Sequence, residues 1–461
     1  MTAATRDGSA TFLFVTLDWN RVLDPAGSTA DELAKPVQKI RSVPTEGKTA
    51  FEGNGTYFAK AQLSKDAKTA LVESGAILQM WNLESGQLSS ISAWGGQGGV
   101  IGFVPEANLA WHAEHGVEFW DKGKSVKKDL EIPHLTGPSE STPMPPAFSE
   151  DGKLLATQTD VGKFRLWNLV TQKPLSPAIE AGTLMYRLTF SPNGKWLFTK
   201  DKSGWTIWDV APQKRVAGPL IDHQSDSKTD IAVSPDSSSI AAIEGELPRH
   251  EIVIRVAQGE TWKEHKRIPI SNPVKQAIWI GSQYLAIVVE FGNQTYGLKV
   301  ISIDELEVQD HGYLRIFDKI TVAPDRKHFA VSNDAAVTCW KLGRKEHLWK
   351  IGTSEAGRSH EVHFGKDWVL LHEKGATTDA RPAIVRSLDN GNEIFRKENV
   401  IATAVNGEHI CLVDATGIEV WRVNHEEIKS PEKDSQLEEE ERHSSEQTRS
   451  KNVGKAAPEK Q

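Results

Sequence analysis

The chain is poor in the residues that would tie it to a disulfide framework, a membrane or a nucleic acid. Its 461 residues include two cysteines, four methionines and five tyrosines. Two cysteines make neither a disulfide network nor a thiolate zinc site. Cys339 and Cys411 each lie inside an apolar, strand-like run, and are expected to be buried, inert thiols. The apolar run nearest the N-terminus, "ATFLFVTL" at 10–17, is too short to cross a bilayer and lacks the longer core and cleavage site of a secretory signal. Its alternation of Phe12, Phe14 and Thr16 with Leu13, Val15 and Leu17 reads as a buried strand, and a cytoplasmic, membrane-free protein is the expectation. The net charge is −8, and no dense Lys/Arg tract precedes the acidic segment "EKDSQLEEEERHSSE" at 432–446. A nucleic-acid partner would call for a basic stripe, so none is expected.

Local catalytic signatures are also missing. There is no Gly-x-Ser-x-Gly elbow, Walker motif or kinase catalytic loop. "GGQGG" at 95–99 offers Gly96 and Gly98 but has Ile101 where a dinucleotide fingerprint needs its third glycine, and no helix follows. The histidines of "HAEH" (112–115) and "HEVH" (360–363) are three apart, which on a strand places them on opposite faces. No catalytic residue, cofactor site or metal site is expected.

Tryptophan, by contrast, is plentiful at fifteen residues, and it recurs. "PAFSEDGKLLATQTDVGKFRLWNL" (146–169) and "RLTFSPNGKWLFTKDKSGWTIWDV" (187–210) share one plan: an apolar strand, a Ser-x-x-Gly turn, a second strand, a polar turn, and a third strand ending in Trp plus Asn or Asp. The same plan yields anchor positions at Trp81, Trp120, Trp167, Trp208, Arg255, Ile301, Trp340, Arg386 and Trp421, spaced 35 to 47 residues apart. That spacing brackets the period of four-stranded propeller blades, about 40–45 residues. The apolar content of 38% suffices for a core shared between such units, none of which buries both faces alone.

These residues carry a family resemblance. "FSPNGKWLFTKDKSGWTIWDV" (190–210) resembles a repeat of the WD-repeat (tryptophan–aspartate, WD40) family, and "LWNLVTQKPLSPAI" (166–179) is similar to the outer-strand segment of bacterial WD repeats. The resemblance covers about residues 55–425. It implies an all-β fold: a single β-propeller of four-stranded antiparallel blades, seven to nine in number, with nine repeat units counted. It also implies a non-catalytic scaffold that binds protein partners, expected here as a monomer without cofactor. Two alternatives stand beside it: a propeller enzyme or cofactor-binding protein with a central-channel site, and a truncated module of a larger signalling protein. The quinone-propeller pattern is not met at "GKWLF" (194–198), where Trp196 directly follows Lys195.

The chain departs from the family in lacking the Gly-His dipeptide before each blade. Asp160, Asp334 and Asp414 are the nearest matches to the family's turn aspartate, so apolar packing must carry more of the fold. The organisation expected is residues 1–54 as N-terminal strand and linker, with a short helix within 24–36; 55–425 as the propeller; and 426–461 as a charged, disordered tail. The ninth unit lacks an outer strand, which either the 10–20 segment or "QKIRSVP" at 38–44 would supply, closing the ring.

Turns between second and third strands share one face of such a disc. Three are long, at 244–251, 290–297 and 372–382, in units five, six and eight. Arg249, His250, Tyr296 and Arg381 in them are the candidate partner-binding residues, since Tyr and Arg are enriched at hot spots. Of the three tryptophans at 196, 205 and 208, Trp208 is the core anchor. Trp196 and Trp205 do not recur between units and stay open to exposure.

Overall fold

The computed structural model describes residues 36–44, 59–91 (except 65, 75 and 76), 109–126 (except 113–115, 122 and 123), 147–220 (except 172, 183 and 184), 231–315 (except 246–249 and 294), 319–353 (except 334), 359–374, 380–424 and 428. The 10–20 strand, most of the 24–36 segment, the 95–99 glycines, Asp334 and the acidic tail lie outside them.

The described residues form nine antiparallel sheets in which strands adjacent in sequence are hydrogen-bonded neighbours, except that in the third sheet Ile179–Glu180 pairs with Lys163–Asn168 beside Lys173–Pro174. The fourth shows the logic. Its strands are Met185–Phe190, Trp196–Asp201, Gly204–Asp209 and Lys214–Leu220. Leu197 and Trp208 are cross-strand partners and face the third sheet, where they pack with Ala156, Phe164 and Leu166. Trp196, Phe198, Trp205 and Ile207 alternate to the other face and pack with Ile240 and Trp262 of the fifth sheet. Trp196 is therefore 1% exposed and Trp205 2%. The two tryptophans left open by the sequence are both core, because a neighbouring sheet covers each face of the blade.

This sandwiching repeats. Shared clusters join the fifth and sixth sheets, the sixth and seventh, the seventh and eighth, the eighth and ninth, and the ninth and first. First strands of successive sheets touch one another, which places them at the hub. Side chains stitch the hub: the Ile320 amide donates to Gln276 Oε1 at 3.2 Å, and Asn406 Nδ2 donates to the Leu63 carbonyl at 3.0 Å. With every sheet a meander from hub to rim, first-to-second and third-to-fourth turns open on one face. Second-to-third turns open on the other.

The ninth sheet is completed from the far end of the chain. Val37–Pro44 pairs antiparallel with Gly417–Val423 as its outer strand, with Val37 opposite Val423 and Pro44 opposite Gly417. Of the two segments the sequence offered for this place, 38–44 fills it. Without it, the strand holding Trp421 would present an unpaired edge.

Eight of the nine anchors lie on third strands, and Trp120 lies on the middle strand of the three described in the second sheet. In two of them the indole bonds to the second strand: Trp167 Nε1 donates to Thr157 Oγ1 at 2.9 Å, and Trp208 Nε1 to Thr199 Oγ1 at 3.0 Å. Where arginine replaces tryptophan, a carboxylate accompanies it. Arg255 lies 2.5 Å from Glu244, and Arg386 reaches the Gly391 carbonyl at 2.9 Å and Glu393 at 3.3 Å. A half-buried guanidinium with these partners offsets its desolvation, which an unpaired one would not. Asp160 and Asp414 accept amides of their own turns, from Val161 and from Thr416 and Gly417.

The turns between first and second strands share a device. In four sheets a serine hydroxyl donates to an Asp or Asn two residues on: Ser64 to Asp66, Ser149 to Asp151, Ser191 to Asn193 and Ser234 to Asp236, at 2.6 to 2.8 Å. The serine oxygen then accepts the amide five residues on, as Trp196 N to Ser191 Oγ at 3.0 Å. The side chains satisfy donors that the turn takes out of the ladder.

Candidate interaction face

The face onto which second-to-third turns open is built differently from what the loop lengths suggest. The 290–297 stretch is an extension of the hairpin rather than an open loop: Glu290 pairs with Tyr296, and the ladder runs on to Gly292 and Thr295. The alternating residues from Tyr284 to Gly292 carry the pairing outward, and Asn293 accepts the left-handed turn at φ +49°. Phe291 is exposed on this extension and lies so close to Gly297 that a Cβ there would meet its ring at 2.5 Å.

The candidate contact residues fall as follows. Arg249 lies outside the described residues. His250 is the first residue of the third strand of the fifth sheet, with Ile270 its partner. Tyr296 is half-buried against the cluster between the sixth and seventh sheets. Arg381 is half-buried, opens the third strand of the eighth sheet, and pairs with Val400. The structure thus brings His250 and Tyr296 to adjacent blades and sets Arg381 two blades further on.

Two residues the sequence reading missed are more open. Tyr186 is exposed on the first strand of the fourth sheet, where the pairing slips between Met185 and Arg187. The bulge turns Tyr186 outward. A sequence signal existed: in "MYRLTF" the buried Met185, Leu188 and Phe190 are spaced three and then two apart, and that break in alternation is what a bulge produces. Phe291 is the second. Beside it, Lys275 and Glu290 form an ion pair at 2.7 Å.

No family model matches the sequence. The small ribosomal subunit protein RACK1 of Medicago sativa is 32% identical over 93 residues, which is 20% of this chain and 28% of that protein. The human WD repeat and SOCS box-containing protein 1 is 29% identical over 99 residues, 21% of this chain and 23% of that protein. The chain is an all-β propeller that over about a fifth of its length is similar to these WD-repeat proteins. The matches span only about a quarter of the length of these relatives. In shape, a chain of Kuenenia stuttgartiensis hydrazine synthase overlaps 66% of this propeller at 12% identity and a TM-score of 0.39, covering all of that chain.

A few titratable groups of this propeller are drawn into its packing. Cys339 and Cys411 are buried, and burial pushes both thiols up to about 12. They are protonated at neutral pH, and a thiol is a poor nucleophile. His360 and His363 of "HEVH" lie on one strand and face different neighbours. Burial holds the His360 imidazole below its usual pKa, opposed by Glu373, while His363 Nε2 lies 3.6 Å from Glu361. Among the described residues no three His, Cys, Asp or Glu side chains converge to hold a metal ion.

Proposed function

We propose that this WD-repeat propeller is a non-catalytic cytoplasmic scaffold that binds a protein partner. The partner sits on the face carrying the second-to-third turns, over blades four to six. The supporting observation is the pair of exposed aromatics there: Phe291 on the extended hairpin of blade six and Tyr186 on the bulge of blade four. Rigid aromatics on an ordered frame supply large contact area at low entropic cost. His250, Tyr296 and Arg381 extend the same face around the ring. The likeness to WD-repeat proteins favours protein binding.

The test is affinity purification with the full chain and with Tyr186→Ala/Phe291→Ala, quantified by mass spectrometry beside melting curves. The reading expects the melting temperature to hold while specific partners fall at least tenfold. An unchanged partner set in the double variant would refute it.

A further inference from the structure

Seven large apolar side chains are exposed among the described residues, and four of them sit at two third-to-fourth turns on the opposite face. Leu306 and Val308, 47% and 46% exposed, belong to blade six. Val170 and Leu175, 50% and 38% exposed, belong to blade three. Their surroundings are opposite in charge. Leu306 and Val308 are interleaved with exposed Asp304, Glu305 and Glu307. Val170 and Leu175 flank exposed Lys173, and Gln213 Nε2 donates to the Leu175 carbonyl at 3.0 Å, which brings exposed Lys214 and Arg215 of blade four alongside.

The acidic turn is held rigidly. The Leu306 amide donates to the Ser302 carbonyl, the Ser302 amide to the Glu307 carbonyl, and Lys266 Nζ of blade five caps the Ile303 and Asp304 carbonyls. Leu306 stands at φ +57° where the equivalent turns of blades one and eight place Gly86 and Gly391 at φ +68° and +72°. A leucine in the left-handed region is disfavoured relative to glycine, and here it remains 47% exposed.

We propose that the two turns are halves of one contact between two copies of this chain. Blades four and five separate them on the rigid ring, so they cannot meet within a copy. Because both open on one face, two copies facing each other across a two-fold axis make the contact twice, acidic turn to basic turn and basic to acidic. This is the self-complementary arrangement such symmetry requires. Leu306 and Val308 then cover Val170 and Leu175, and the flanking charges set the register. The surface lies opposite the proposed partner face, so either reading can fail without the other.

Sedimentation velocity of the full chain tests it. At low ionic strength the mass is expected to rise from one chain towards two with concentration, and to fall back as salt is raised from about 50 to about 500 mM. Glu305→Lys/Glu307→Lys and Lys173→Glu/Lys214→Glu are each expected to stay single, since each juxtaposes like charges. An equimolar mixture of the two variants restores the pair, because each variant's altered turn now matches the other's. A wild type that remains single across the concentration series overturns the proposal. So does pairing in the separate variants equal to wild type, or no pairing in the mixture.

Discussion

Lys39 Nζ lies 3.5 Å from Glu419 Oε1, a contact between residues 380 apart in the chain. Glu419 is the collecting point of the ring seam. Its carboxylate also takes Lys397 of the eighth sheet at 3.0 Å, and Trp421 Nε1 donates to it at 3.1 Å. The outer strand from the N-terminal part, the eighth blade and the ninth blade therefore meet on one side chain.

The seam should be sensitive at its buried points and tolerant at its exposed ones. Val43 is buried in the cluster joining the ninth and first sheets, and Val43→Asp should destabilise by about 3 kcal/mol or more. Lys39→Met removes a largely exposed partner and should cost less than about 1 kcal/mol. Urea unfolding of the two variants checks the order. Equal effects would show that the 37–44 strand adds little to the ring.

Trp208 and Thr199 should be coupled. Trp208→Phe and Thr199→Val each break the indole bond, and the double variant should recover about 1 kcal/mol relative to the sum of the singles. A double-mutant cycle by chemical denaturation measures this. Zero coupling would mean that Trp208 acts through packing alone.

The serine–aspartate turns predict an acid limb. Burial works to raise the Asp236 pKa, but hydrogen bonds from Ser234, Ser238 and Ser282 outweigh it and hold the carboxyl at about 2, below its ordinary 3.8. A depressed folded pKa contributes stability that is complete above about pH 4 and is lost as pH falls through about 2. Asp236→Asn should therefore lose stability at pH 7 and show a shallower decline between pH 4 and 2. Asp151 and Asp325 are held low in the same sense. Thermal melts across pH 2–7 provide the check, and parallel curves for variant and wild type would contradict it.

Gly391 should not accept a side chain. Its φ is +72°, and a Cβ would meet Trp349 Cγ at 2.7 Å, where the indole reaches over to donate to the Leu388 carbonyl. Gly391→Ala should cost about 2 kcal/mol, combining backbone strain with displacement of the ring. Gly259→Ala, with open space around it at φ +65°, should cost about 1 kcal/mol from the backbone alone. Denaturation of the pair separates the two contributions.

The repeat was legible in the sequence because its determinants are local. Alternation from Trp196 to Asp201, the Ser-Pro-Asn-Gly turn and the anchor Trp208 lie within twenty residues, and each acts on its immediate neighbours. The candidate face was less legible. Loop length singled out 290–297 as a long turn, but the ladder from Glu290 to Thr295 makes it a hairpin. Tyr186 was passed over because a single bulge reassigns which side chains face out.

The sequence by itself determined that this is a β-propeller of WD-like repeats, with nine anchors and turn chemistry at each corner, since pleat period and turn preference act between residues close in the chain. Only the tertiary structure decided that 37–44 closes the ninth sheet and that Trp196 and Trp205 are core. It alone set an acidic and a basic turn on one face. A blade's second face, its free edge and its neighbours' charges are supplied by residues distant in sequence, and burial exists only once those residues arrive.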